Sequence, residues 1–346
     1  MLKIPSQSGI RTFEQFRDAV YAFRIPRIIL SAMDIELFSR MGDRTWSIPA
    51  LAKRVDASRR GIDILCRNLA SLGLLLHKGR GYRSSRMAQQ YLNKHSPEFR
   101  GAYLQLLQRQ WEEWSKLTTA VMTGRPLDED KPETPEYRQS FSWAMHERSI
   151  ESAKQVSEQL PLGKAQSLLD LGGGPGTYAW HFLKRHPSLK ATVMDRHAAL
   201  EVAKTVAHRY RLQSRATFVP GDFLKEPIPG HYDIAWYSNV LHIYSPQENL
   251  RIFRNVKRKL TPGGKIFIQD TFLEDPKRLV PVEANVFAVT MLLYTPTGNT
   301  YSRQEVQGWL QRAGFSRTKI HRLKPGTGDW EGIILEGRVP SHPKFS

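Results

Sequence analysis

The chain has 346 residues, with 51 Lys+Arg against 33 Asp+Glu and a formal net charge of +18. That length accommodates two domains and a sizeable buried core. One cysteine, Cys66, excludes an internal disulfide, and no apolar run reaches the ~18 residues that a bilayer-spanning helix needs. Met1 to Ser6 lack the apolar stretch of a secretory signal, so a cytoplasmic location is expected. The basic excess is denser in the first hundred residues. Its scatter, over Arg24, Arg27, Arg40, Lys53 and Arg54, argues for a solvated basic surface over a nucleic-acid face.

Phe13 to Phe38 carries helical apolar spacing interrupted at Pro26, and Ile28 to Met41 reads as a second helix. Ser47 to Val55 has a capping serine and a proline near the first turn. After a turn at Asp56–Ser58, Arg59 to Leu72 forms an amphipathic helix with Ile62, Leu65, Leu69 and Leu72 on one face, and Cys66 falls in the same apolar register. Leu74 to Arg83 reads as strand, glycine-bearing turn and strand. Helix, turn, helix and hairpin make a winged helix, a module able to enter the major groove of DNA. Phe99 to Thr123 continues as helix, with Tyr103, Leu107, Trp111 and Trp114 spaced for packing between domains. Gly124 to Pro135 is a loop, and Tyr137 to Leu160 is helical again. The expected domains are 1–100, a helical linker 101–160, and 161–346.

The third domain opens on its most informative run. Ser167-Leu168-Leu169 leads into Asp170-Leu171-Gly172-Gly173-Gly174-Pro175-Gly176, and a second apolar segment closes on Asp195. Strand, glycine turn, helix and strand ending in a carboxylate are half of a nucleoside-binding α/β sheet. Gly172, Gly174 and Gly176 recur every second residue, unlike the dinucleotide fingerprint, and Pro175 removes a backbone donor that a pyrophosphate would use. A nucleoside without phosphate fits better. Asp170 is placed to meet a cationic amino acid moiety, and Asp195 to accept from ribose hydroxyls. S-adenosylmethionine has those parts.

Further strands follow at Ala216–Phe223, Tyr232–Tyr237 and, after a Thr261–Gly264 turn, Lys265–Ile268, with two more at Thr318–Leu323 and Glu331–Glu336. Apolar strands alternating with helices imply a parallel sheet covered on both faces. His242 follows the Tyr232 strand, where the carboxyl ends of parallel strands face a ligand crevice. An imidazole there can act as a general base near neutral pH. Asp270 ends the next strand and could orient it. Clustered carboxylates for magnesium are not evident, and His181, His186, His197 and His208 form no ligand pattern, so no metal is expected.

These motifs resemble class I S-adenosylmethionine-dependent O-methyltransferases of the caffeate/hydroxyindole type, which carry an N-terminal winged-helix dimerisation domain. The resemblance covers nearly the whole chain. It implies an α/β fold with a Rossmann-like seven-stranded methyltransferase sheet, an N-terminal all-helical winged-helix domain, a homodimer and a small aromatic or polycyclic acceptor. His242 aligns with the family's catalytic histidine, and Asp270 stands where the family has an acid beside it. The resemblance also implies that Asp170, Gly172, Gly174, Asp195, Asp222 and Phe223 hold S-adenosylmethionine, the last two near adenine. Phe141, Met145, Met291 and Thr295 would line the acceptor pocket. Two departures stand out. Ile243 follows the histidine where the plant enzymes have an aspartate, and Thr300 replaces a second glutamate. Methylation of carbon or nitrogen, and a DNA-binding regulator that senses S-adenosylmethionine, remain as alternatives.

Overall fold

The computed structural model describes residues 9–127, 134–274, 277–324 and 332–341. The chain divides into two compact units, Met1–Gln110 and Trp111–Ser346.

The first unit contains α1 (Phe13–Tyr21), α2 (Arg24–Asp34), α3 (Leu37–Met41), α4 (Ile48–Val55), α5 (Arg59–Ser71), a hairpin of β1 (Leu75–Lys78) and β2 (Gly81–Ser84), α6 (Arg86–Tyr91) and most of α7 (Gly101–Trp114). Thr12 and Gln15 close a capping box at the start of α1. Pro26 does not break a helix, contrary to expectation. It lies in the first turn of α2, where a missing N–H costs nothing. The Ile28–Met41 segment is instead divided at Glu36, whose φ of 53° turns the chain between α2 and α3. Phe38, Leu51, Ile62, Cys66, Leu69 and Leu75 form one core, and burial pushes the Cys66 thiol up to about 12. Helix, turn, helix and hairpin are therefore present, and the hairpin makes the unit not wholly helical.

The second unit adds α8 (Leu117–Thr123), α9 (Pro135–Gln159), β3 (Ser167–Leu171), α10 (Thr177–Arg185), β4 (Lys190–Asp195), α11 (His197–Arg209), β5 (Ala216–Pro220), β6 (Tyr232–Ser238), α12 (Pro246–Lys259), β7 (Leu260–Gln269), β8 (Phe272–Leu273), α13 (Val282–Tyr294), β9 (Tyr301–Ser302), α14 (Arg303–Arg312), β10 (Arg317–Arg322) and β11 (Ile333–Arg338). The helix expected over Phe99–Thr123 is thus two, α7 and α8. Glu331 and part of the Gly124–Pro135 loop lie outside the described residues.

Seven of the described strands form a sheet of order β10-β11-β7-β6-β3-β4-β5, and β8 and β9 pair separately. All neighbours from β7 to β5 are parallel, and β11 runs antiparallel to both of its neighbours, so the sheet is mixed at one edge. Helices cover both faces. Trp180 and Phe182 of α10, with Val156 of α9 and Val206 of α11, pack on Leu168, Val193, Trp236 and Phe267. Phe253 and Val256 of α12 and Leu310 of α14 pack on Leu169, Ala235, Tyr237 and Ile268. That double cover is why these strands read as nearly continuous apolar runs. From β3 the chain proceeds outward to β4 and β5, then returns to β6 on the other side. Such a reversal opens a crevice beyond the carboxyl ends of β3 and β6.

The expected Thr261–Gly264 turn is absorbed into β7 as a bulge, because Tyr232 pairs with Leu260 while Ile234 pairs with Lys265. Asp233 sits opposite. Its carboxylate accepts from the backbone N–H groups of Gln166 (2.9 Å) and Ser167 (3.1 Å) and the hydroxyls of Ser167 (3.0 Å) and Thr261 (3.2 Å). Burial raises its pKa, but these bonds outweigh burial and hold the group below the ordinary carboxylate range. Its stabilisation is therefore present above the unfolded value near 4 and lost as pH falls through the folded one. Asp233→Asn is expected to lower stability by roughly 2 kcal/mol at pH 7 and to narrow that gap in acid, as measured by urea denaturation across pH.

Candidate active site

Four chain segments meet at the carboxyl ends of the parallel strands. The first is the glycine turn after β3. Gly172 donates to the Met194 carbonyl (2.8 Å) and Gly174 donates to Asp195 Oδ2 (2.7 Å), so the turn is fastened to the end of β4. The Trp180 indole N–H donates to the Pro175 carbonyl (2.8 Å) and holds the turn to the first turns of α10. Gly172 has a φ of +70°, and a Cβ there would lie 2.8 Å from Val240 Cγ2. Only glycine suits that position.

Two carboxylates lie beside this turn. Asp170 is 3% exposed, and a Cβ on Gly173 would lie 2.5 Å from its carboxyl carbon. Burial, reinforced by the charge of Asp195, pushes Asp170 up to about 8, against one backbone hydrogen bond from Ala179. Asp195 is also raised by burial. The N–H groups of Arg196 and Gly174 and the charges of Arg138 and Arg196 oppose that rise. Two desolvated acids side by side are a poor arrangement for an empty site and a good one for a cation.

The second segment follows β5, which ends at Pro220 and so is shorter than expected. Gly221 donates to the Asp195 carbonyl (3.0 Å). Asp222 accepts from the Leu224 N–H (3.0 Å) and lies 3.6 Å from Lys225 Nζ. Phe223 is buried, edge-on to Tyr244 at 5.7 Å and 3.5 Å from the missing Cβ of Gly172. Phe223, Val240 and Tyr244 thus give the turn an apolar neighbour.

His242 occupies the third segment, a single 3-10 turn (Leu241–Ile243) after β6. Before it, Asn239 adopts a φ of 56° and donates its N–H to the Gln269 carbonyl (2.9 Å). Asn249 of α12 anchors the turn: its amide donates to the carbonyls of Leu241, Tyr244 and Ser245, and its oxygen accepts from the Tyr237 hydroxyl. Asp270 supplies the fourth segment, directly after β7. His242 Nδ1 lies 2.9 and 3.0 Å from the two Asp270 oxygens, and the Thr271 N–H donates to Oδ1 (2.7 Å). The histidine is 6% exposed and the aspartate 1%. A buried carboxylate at this distance fixes the tautomer, with Nδ1 protonated and Nε2 carrying a lone pair. The Phe287 ring of α13 stands edge-on to the imidazole at 4.7 Å.

The structure therefore gathers Asp170, Gly172, Gly174, Asp195 and Phe223 around one turn, and pairs His242 with Asp270. Phe141 and Met145 are half-buried on α9, and Met291 is buried on α13. Thr295 is the C-cap of α13. Its hydroxyl donates to the Met291 carbonyl (2.7 Å) and accepts from the Gly298 N–H (3.0 Å), and a Cβ on Gly298 would lie 2.5 Å from the His242 carbonyl. Thr300 is buried and uncharged, leaving Asp270 as the carboxylate on His242 among the described residues. No group of three or more His, Cys, Asp or Glu among those residues could hold a metal ion.

Sequence reasoning missed Phe287, Arg138 and Asn249. The signals were there: Phe287 lies one turn before Met291, Arg138 one turn before Phe141, and Asn249 is a polar residue on the apolar face of Ile252, Phe253 and Val256.

Residues 107–316 match the family model of the O-methyltransferase domain. A 3-hydroxy-5-methyl-1-naphthoate 3-O-methyltransferase from Streptomyces sahachiroi is 27% identical over 306 residues, covering 86% of this chain and 88% of that one. Acetylserotonin O-methyltransferase of Mus musculus is 26% identical over 335 residues, covering 90% and 86%. The solved structure of human N-acetylserotonin methyltransferase in complex with SAM superposes with a TM-score of 0.82 at 23% identity, covering 96% of this chain and 99% of that one. The chain belongs to the O-methyltransferase family, whose methyl donor is S-adenosylmethionine.

The Nδ1-protonated tautomer is directly observable. Nitrogen-15 spectra of the His242 ring at neutral pH are expected to show Nδ1 bearing the proton, and Asp270→Asn is expected to redistribute it toward Nε2.

Proposed function

We propose that this enzyme transfers a methyl group from S-adenosylmethionine to a hydroxyl of a small aromatic or polycyclic metabolite, with His242 as general base. The observation that carries the reading is the buried His242–Asp270 pair on the rim of the crevice. A phenol has an ordinary pKa near 10 and must lose its proton as it attacks, which requires a positioned base. Relatives acting on aromatic hydroxyls support the acceptor class: the naphthoate enzyme, and a tetracenomycin polyketide 8-O-methyl transferase of Streptomyces glaucescens, 26% identical over 303 residues. An N,N-dimethyltransferase of Streptomyces rimosus, 25% identical over 324 residues, keeps transfer to nitrogen as the second reading. An amine attacks with its own lone pair and has less need of this dyad, so transfer to oxygen is favoured. A DNA-binding regulator gives way to the family assignment.

When bound, S-adenosylmethionine supplies an electrophilic methyl group on a sulfonium. Asp170 and Asp195 fit that donor, because burial and the neighbouring Asp195 charge keep the Asp170 carboxyl protonated until a positively charged partner favours its ionised form. Gly172 and Gly174 admit the close approach of backbone, Asp195 accepts from ribose hydroxyls, and Asp222 and Phe223 serve the adenine end. His242 Nε2 takes the acceptor's hydroxyl proton while Nδ1–H donates to Asp270, whose charge stabilises the imidazolium. Phe141, Met145, Met291 and Thr295 line or brace the acceptor pocket, and Phe287 extends its α13 side.

The reading includes a homodimer and a cytoplasmic location. Phe13, Phe16, Val20 and Tyr21 of α1 are more than half exposed, an apolar face suited to a second copy. Sedimentation equilibrium is expected to give twice the chain mass, and Phe16→Asp to shift the balance toward monomer.

His242→Ala is expected to lower turnover by about 10²–10⁴-fold while leaving donor affinity, measured by calorimetry, unchanged. Full turnover in that variant would remove the base assignment. Asp170 gives a second test. Below about 8 the free carboxyl holds its proton, and a cationic ligand favours the ionised form, so binding releases a proton. Donor affinity is therefore expected to rise with pH by up to ~tenfold per unit and to level off above that value. Asp170→Asn should flatten the profile.

A further inference from the structure

The edge of the sheet farthest from the glycine turn carries an unusual row of charge. β10, β11 and β7 lie in register, and residues directly opposite one another share a face. Arg317 faces Arg338, and Arg338 faces Lys265, which places three cations side by side across three strands. In the next row Lys319 faces Glu336. Like charges directly opposite destabilise a sheet, so this row acts against the strand pairing that contains it. Among the described residues, Glu336 is the one acid in the group. It is committed to Lys265 Nζ at 3.3 Å and His321 Nε2 at 2.7 Å.

These side chains line a cavity of about 440 Å³ beside Pro161, just past the end of α9. The cavity is not part of the crevice described above. Lys265 pairs with Ile234 near the amino-terminal end of β6, whereas His242 and the glycine turn lie beyond the carboxyl ends. Neither methyl transfer nor the donor site uses it.

We propose that this cavity binds a small polyanion bearing a diphosphate group. Lys265, Arg317, Lys319 and Arg338 oppose the single Glu336 carboxylate, and the excess matches a diphosphate, which carries about three negative charges at neutral pH. Two arginine forks in adjacent strands suit bidentate contact with phosphoryl oxygens. The volume lies within the range of small-ligand sites. Free diphosphate and the diphosphate portion of a nucleotide share this chemistry, and both would relieve the repulsion along the row.

Inorganic pyrophosphate and ATP are titrated separately into the full chain by calorimetry. Saturable 1:1 binding of pyrophosphate is expected. Binding of pyrophosphate alone points to the free anion, and tighter ATP binding points to a nucleotide. Arg317 and Lys319 are exposed, so R317Q and K319Q are not expected to impair folding. Each should weaken pyrophosphate by about tenfold. R317Q should also raise the melting temperature of the ligand-free protein, an effect that a merely structural arginine would reverse. The charge-matched control K53Q, on the exposed side of α4, should change neither quantity. The proposal is overturned by no saturable heat with either ligand, by equal weakening in K53Q, or by duplex DNA binding that R317Q abolishes while pyrophosphate gives none.

Discussion

The geometry of the site depends on the close approach of two turns that are far apart in sequence. Gly172 follows β3 and Val240 follows β6, and the valine methyl occupies the space a side chain on residue 172 would need. Because β3 and β6 are parallel neighbours at the point where the strand order reverses, the glycine turn and the turn that carries His242 share one rim. Any bulk at residue 172 would push these turns apart, and alignment of donor with acceptor is where such enzymes obtain much of their rate. The contact is apolar and unremarkable in strength. Its importance is positional.

Around that contact, the two acids and the histidine are tuned by opposite means. Asp170 is desolvated beside the Asp195 charge, so it holds a proton that a cationic ligand would displace. Asp270 is buried as well, but the His242 ring and the Thr271 N–H satisfy it. The first arrangement favours binding, and the second favours orientation. Asn249 links the second to the scaffold: the Leu241 carbonyl of the 3-10 turn and the Tyr244 and Ser245 carbonyls just after it are tied to a fully buried side chain of α12, so the imidazole is set by a rigid element and not by a free loop.

Much of this was legible in the residues alone, because parallel sheets place chemistry at strand ends and their covered strands read as apolar runs. Asp170, Asp195, His242 and Asp270 each follow or end such a run. Other features left weaker signals. Glu36 adopts a left-handed conformation with nothing in its side chain to announce it, so one expected helix became two. The β7 bulge looks like an ordinary Pro-Gly turn until the register with β6 is known. The antiparallel insertion of β11 depends on pairing between distant segments, and local periodicity does not report direction. Pro26 misled for a different reason, since a proline that breaks a helix interior is harmless in the first turn.

The bond from the Trp180 indole to the Pro175 carbonyl has a kinetic meaning. Trp180 is fully buried, so the turn is clamped from beneath by a ring that has nowhere else to go. A receptor already in its bound shape asks little reorganisation of an incoming molecule. Capture should then be limited by the frequency of encounters at the crevice mouth, and the time a molecule stays should depend on how well its charge satisfies the two acids.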